Sequence, residues 1–232
     1  MRQLLKITSG AVWSATSEEL SLLYVLSYIA GAGNETLPGN LERLIGITNG
    51  AQESRIVGGT GLLSSGLASK VGWPNIRLNH AVDSIVLDHN GSYTLTSSTS
   101  RSKITAKSVI VAMSPPLATR ITYSPLLPAK RDQLTQRMFM GALGKAIAIY
   151  AQPFWRAANL SGQVISSTGT VRTTFDVSPK NASYGAILGF LEADEMRALD
   201  ALSEAEIIAK VQEDYVRSVS YTHLTLPTKR IV

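Results

Sequence analysis

MGALGKAIAIYAQPFW, Met140 to Trp155, holds one charged side chain, Lys145, inside an apolar run that stops at Pro153. Its core, GKAIAIY from Gly144 to Tyr150, has the β-branched and aromatic content and the length of a strand. Three more such runs follow downstream: QVISS from Gln163, TVRTTFDV from Thr170 and YGAILGFL from Tyr184. Gly, Ser, Pro and Asn separate them, so the spacing predicts strands of an antiparallel sheet. Lys145 has two readings within this sheet. Its ammonium either snorkels to the sheet edge on its apolar stem or points into a functional site.

Upstream of the block, LPAKRDQLTQR from Leu127 fits a helix. VIVA, Val109 to Ala112, reads as a strand buried on both faces, ended by Pro115-Pro116, which have no N–H for a ladder. VDSIVLD and YTLTSS, on either side of Asn90-Gly91, predict a hairpin. Downstream, Ser203-x-x-Glu206 is a capping box that opens a helix to about Arg217, with Ile207, Ile208, Val211 and Tyr215 on one face. At the other end, Thr16-x-x-Glu19 is a second capping box, ahead of LSLLYVLSYIAGAG from Leu20 to Gly33. That run is too short to span a bilayer and reads as a buried helix. Strands and helices of both kinds give a mixed α/β (α+β) chain.

Composition narrows the chemistry. The 232 residues are 44% apolar and 17% charged, with a mean hydropathy of +0.09, enough for a substantial core and not a disordered chain. With no Cys, there is no disulfide, thiolate nucleophile or Cys-ligated metal, so redox chemistry would need a bound cofactor. His80, His89 and His223 lack ligand spacing, so no metal site is expected. The net charge of +5 is dispersed and not interleaved with aromatics, which argues against nucleic acid. MRQLLKITSGAVWSATSEE breaks the pattern of a signal peptide, so a cytoplasmic location is expected.

Several residues stand out as candidates. VGGTGLLSSG, from Val57, holds Gly59-x-Gly61-x-x-Ser64, a dinucleotide fingerprint lacking its third glycine, with Asp83 about 20 residues on as a possible ribose ligand. A plain strand-to-helix turn is the competing reading. Gln52, after Asn49-Gly50, is an exposed loop amide or the polar group of an apolar pocket. Phe175 and Phe190, on neighbouring expected strands, are core or pocket wall. No Ser-His-Asp set, paired-carboxylate site or P-loop supports a hydrolase or kinase.

ITNGAQESRIVGGTG, VIVAMSPP, TYSPLLP, GKAIAIYAQPFW and YGAILGFL, in this order and spacing, resemble the middle of the flavin-containing monoamine oxidase family, from about Leu4 to Arg217. The resemblance implies a two-domain FAD-dependent amine oxidase fold, incomplete here. Residues 1–56 and 135–217 would belong to the substrate domain and residues 57–134 to the middle of the FAD-binding domain. The family's N-terminal GxGxxG unit and its C-terminal lobe would be missing, leaving an inactive fragment. The family oxidises an amine to an imine with FAD and passes the electrons to O2, giving H2O2.

By position, Lys145 matches the catalytic lysine beside the flavin, and Val82 the residue whose backbone faces the FAD adenine. Gln52, Leu44, Ile45, Thr173, Phe175 and Phe190 match positions lining the substrate cavity, with Gln52 as its main polar group. Thr173 stands where animal members often carry Tyr, implying a wider pocket. The partners implied are a small amine and O2, with a homodimer when intact. The rival readings are a desaturase or porphyrinogen oxidase of the same superfamily, and a non-catalytic scaffold or binding protein. Finally, VSYTHLTLPT, Val219 to Thr228, matches no periodicity and looks like translated sequencing adapter, which marks residues 218–232 as a non-native tail.

Overall fold

A computed structural model describes residues 2–219. The expectation of a non-native tail falls almost wholly on residues outside that range. Helices are α1 (Arg2–Trp13), α2 (Leu22–Ala30), α3 (Leu41–Ile45), α4 (Gly61–Val71), α5 (Pro115–Ala118), α6 (Ala129–Arg137), α7 (Phe154–Ala157), α8 (Ala193–Arg197) and α9 (Glu204–Val219). Strands are β1 (Ser84–Leu87), β2 (Tyr93–Ser97), β3 (Ser102–Ala106), β4 (Thr122–Ser124), β5 (Leu143–Tyr150), β6 (Val164–Ile165), β7 (Val171–Asp176) and β8 (Gly185–Glu192). The described residues fall into two compact units. One is Ser54–Met140, and the other joins the segments on either side of it.

The two-segment unit is built on a four-stranded antiparallel sheet of order β5-β8-β7-β6, formed by the four runs expected to pair. Alternation along β5 puts Ala146, Ala148 and Tyr150 on a buried face, where they pack with Ile187, Leu191 and Val171 against Val211 and Tyr215 of α9. The Tyr215 hydroxyl donates toward Ala146 O at 2.8 Å and Ile187 O at 3.2 Å, satisfying a polar group that is otherwise sealed in the core. Gly189 makes this possible, because a Cβ there would stand 2.6 Å from the Tyr215 oxygen. Glu206 accepts from Ser203 N and Oγ at 2.8 and 2.7 Å, so the second capping box forms as read from the sequence.

Asp214 fastens α9 to the sheet. Its buried carboxylate accepts from Thr170 N at 2.6 Å and Val171 N at 2.8 Å and pairs with Arg217. At the other end of β7, Asp176 takes hydrogen bonds from Trp155 Nε1 at 2.9 Å and Arg156 Nε at 2.6 Å. Burial alone would raise this carboxyl, but hydrogen bonds from Arg156, Ser178 and Trp155 outweigh it and hold the group down to about 2.

The Ser54–Met140 unit carries a sheet of order β3-β2-β1-β4, with β1 and β2 forming the expected hairpin and β4 parallel to β1. The expected helix over LPAKRDQLTQR is α6. Two expectations fail in the chain. Val109–Ala112 form no strand, and Ile110 is 91% exposed. A doubly buried strand needs ladder partners and covering layers, and no described strand runs beside this segment.

The apolar run after Leu20 also departs from its reading. Thr16 and Glu19 make their reciprocal box around a 3-10 turn, Ser17–Glu19, and α2 starts only at Leu22, capped by Ser21. No residue of α2 is buried and Leu22 is 72% exposed; Val25 and Ile29 are half-buried, and Tyr28 meets the Trp13 ring of α1 at 5.7 Å, so the helix is covered only in part.

Candidate functional site

Lys145 lies on the face of β5 opposite the core, and the register places it directly across from Phe190 of β8. The same face continues across β8 to β7. Thr173 sits opposite Phe190, and Phe175 opposite Leu188. The Phe175 and Phe190 rings meet at 5.6 Å between centroids, and the Lys145 ammonium lies 5.6 Å from the Phe190 centroid. Four of the residues singled out in the sequence are thus gathered on one sheet face. Lys145 is exposed, and Phe175 and Phe190 are half-buried.

A β-bulge produces this gathering. Val171 pairs with Leu191 and Thr173 with Phe190, so Arg172 is the extra residue on β7. In a regular strand Val171 and Thr173 would share a face. The inserted residue sends Val171 into the core against α9 and turns Thr173, and Phe175 two residues on, toward Lys145. Arg172 itself pairs with Glu195 of α8.

Beside this cluster stands a group the sequence did not flag. Glu192, at the end of β8, shares the face of Phe190 but is 2% exposed. α1 packs on β7 and β8 and lays Gly10 against it, so close that a Cβ at Gly10 would fall 2.7 Å from Glu192 Oε2. Glu192 Oε1 and the Thr173 hydroxyl are buried side by side, close enough to interact but without a well-formed hydrogen bond to any described residue. Burial therefore pushes the Glu192 carboxyl up to about 7; the Thr173 hydroxyl and Arg172 oppose this rise, and the Glu195 charge adds to it. In the sequence Glu192 opens the acidic stretch EADE, which carries no signal of burial. Only the packing of α1 reveals it as a core acid.

A second group of candidates is held by α3 and the turn after it. Asn40 caps α3 by accepting from Arg43 N at 2.8 Å. Leu44 is buried and Ile45 half-buried. Gln52 bends back, with its N–H bonded to Gly46 O at 3.0 Å and its side-chain amide donating to Leu44 O at 3.3 Å. The structure thus joins Gln52 and Leu44 directly; Gln52 is exposed, and its carbonyl oxygen has no hydrogen-bond partner among the described residues.

Val82 belongs to the Ser54–Met140 unit, half-buried just before β1. Asp83 lies exposed just before β1. It accepts from Ser98 N across the hairpin, and that bond holds its carboxyl below the usual range. The glycine cluster leads into α4 at Gly61, yet no strand precedes it, so the expected strand-to-helix turn is a loop-to-helix entry.

The family model for flavin containing amine oxidoreductases matches residues 1–226. The chain belongs to that family. It is 39% identical over 206 residues to the "Probable flavin-containing monoamine oxidase A" of Dictyostelium discoideum, covering 88% of this chain and 43% of that protein. It is 31% identical over 218 residues to the flavin-containing amine oxidase B of Homo sapiens, covering 93% of this chain and 40% of the human protein. Among solved structures of the family, it matches cyclohexylamine oxidase from Brevibacterium oxydans with a TM-score of 0.81 at 26% identity, covering 94% of this chain and 46% of that one. A putrescine oxidase bound to putrescine matches with a TM-score of 0.77 at 23% identity, over 94% and 46%. The chain therefore has the mixed α/β fold of these oxidases and spans under half the length of the relatives it matches.

Proposed function

We propose that this chain is part of an FAD-dependent oxidase of primary or secondary amines, with Lys145 as its flavin-facing residue. The observation that carries the reading is the exposed β5 edge of the sheet face in a chain of this family, which sets one ammonium over the Phe190 ring, itself against Phe175, with no carboxylate paired to it among the described residues. Such a face suits a planar ring system that becomes negative on reduction. When bound, FAD supplies the acceptor for the hydride equivalent lost by the amine. The oxidised product, an imine, is hydrolysed to an aldehyde, and O2 takes up two electrons and two protons to leave as H2O2.

The chain's own residues have separable tasks. Lys145 supplies fixed positive charge and N–H donors where negative charge accumulates and where water or O2 is handled. Phe175 and Phe190 give the amine's carbon chain an apolar wall, backed by Thr173, which is buried beside Phe190. Leu44 and Ile45 add apolar lining, and the free carbonyl of Gln52 accepts from an amine N–H. The Ser54–Met140 unit belongs to the FAD-binding part, with the Val82 backbone toward the adenine, and the unit carrying Lys145 to the substrate part.

The test is amine-dependent peroxide release by the natural polypeptide that contains this sequence, with FAD present and short aliphatic and aromatic amines compared. Peroxide formation with at least one amine is expected. A flavin-loaded protein that oxidises none of them would overturn the reading. Residues 1–232 alone are expected to retain no stoichiometric FAD, as equilibrium dialysis would show, since the described candidates for holding it are Lys145 and Val82.

A further inference from the structure

Lys145 has a long, flexible stem and an exposed head, and an unrestrained lysine of this kind samples many rotamers. A group that is to meet a cofactor atom must be held in place. Salt bridges and hydrogen bonds do not do this, since among the described residues Lys145 enters into neither. Glu192, on the same sheet face two residues beyond Phe190, is buried against Gly10 of α1 and makes no ion pair with Lys145. What faces the ammonium is the ring of Phe190, directly across the strand pair. That ring in turn is buttressed by Phe175, tilted at 59° to it.

We propose that Phe190 is the positioning residue for Lys145: its π face, braced by Phe175, holds the ammonium over the open face of the sheet. The role rests on the reading of Lys145 given above and is distinct from lining a substrate cavity. Two features of the backbone serve it. The β5–β8 register makes Lys145 and Phe190 a directly opposed cross-strand pair, the closest spacing a sheet offers. The Arg172 bulge places Phe175 on the correct face to brace the ring. A cation over an exposed ring is worth about 0.5 to 1 kcal/mol, or roughly a two- to fivefold bias toward the held rotamers. That bias enriches the rotamers that keep the ammonium over the ring, although it is smaller than the full rotamer entropy of a free lysine.

The proposal is tested without any cofactor, on the 232-residue chain, by NMR of selectively labelled lysine side chains. An ammonium seated over a ring carries its ε-methylene protons into the ring's shielding cone. The Lys145 ε-protons are expected upfield of those of the other lysines. Phe190→Leu should return them to the common position, Phe190→Tyr and Phe190→Trp should keep them upfield, and Phe175→Leu should reduce the shift in part. Native Lys145 signals that coincide with those of the other lysines, or an upfield shift that survives Phe190→Leu in a folded chain, would overturn the proposal. Folding is monitored through the core resonances of Tyr215, and if Phe190→Leu does not fold, the native and Phe190→Tyr spectra decide. Failure of the flavin reading would show instead as a Lys145 variant of unchanged oxidase activity, so the two outcomes are distinguishable.

Discussion

At the residue scale the most consequential side chain after Lys145 is Glu192. Its carboxyl ionises near pH 4.5 in the unfolded chain and near 7 in the folded one. Between those values the native state keeps a proton that the unfolded state has released, so stability falls as pH rises through that window and is level on either side of it. The expected loss is about 3 kcal/mol in all. Thermal melts from pH 5 to 8 should show the decline, and Glu192→Gln should flatten it. Asp176 acts in the opposite sense and in a separate window. Its carboxylate is held down to about 2, so its contribution is present above about pH 4 and lost as pH falls toward 2. Of these residues, Lys145 was conspicuous in the sequence because it interrupts an apolar strand. Glu192 was not, since a carboxylate in EADE is chemically unremarkable until a glycine of a distant helix packs against it.

At the scale of elements, the four strands around Lys145 were legible because each carries its own β pattern and turn punctuation, and α9 because its cap and apolar stripe agree. The Arg172 bulge was not legible. TVRTTFDV reads as an unbroken strand, and only pairing with β8 shows that one residue is extra, which decides the face that Thr173 and Phe175 occupy. Val109–Ala112 and α2 mislead in the opposite way: their apolar content predicts burial, but burial depends on a covering neighbour. The joint between α9 and β7 is more local and yields a firm expectation. Asp214→Ala would leave one buried and one half-buried backbone N–H without their charged acceptor and should cost about 2 to 3 kcal/mol in chemical denaturation, with no change in the strands of the other unit.

For the whole molecule, family and fold agree, while the surface remains unusually apolar for its charge. Val57 is 93% exposed, and the charged fraction is only 17%. No helix of the described residues is long and apolar enough to cross a membrane. If the ammonium of Lys145 serves flavin-dependent amine oxidation, steady-state peroxide release by Lys145→Met, in the natural polypeptide loaded with FAD, is the decisive measurement. Removing a preorganised charge of this kind should lower turnover with O2 by at least about tenfold while the protein still binds flavin and amine. Unchanged turnover in the flavin-loaded variant would contradict the account.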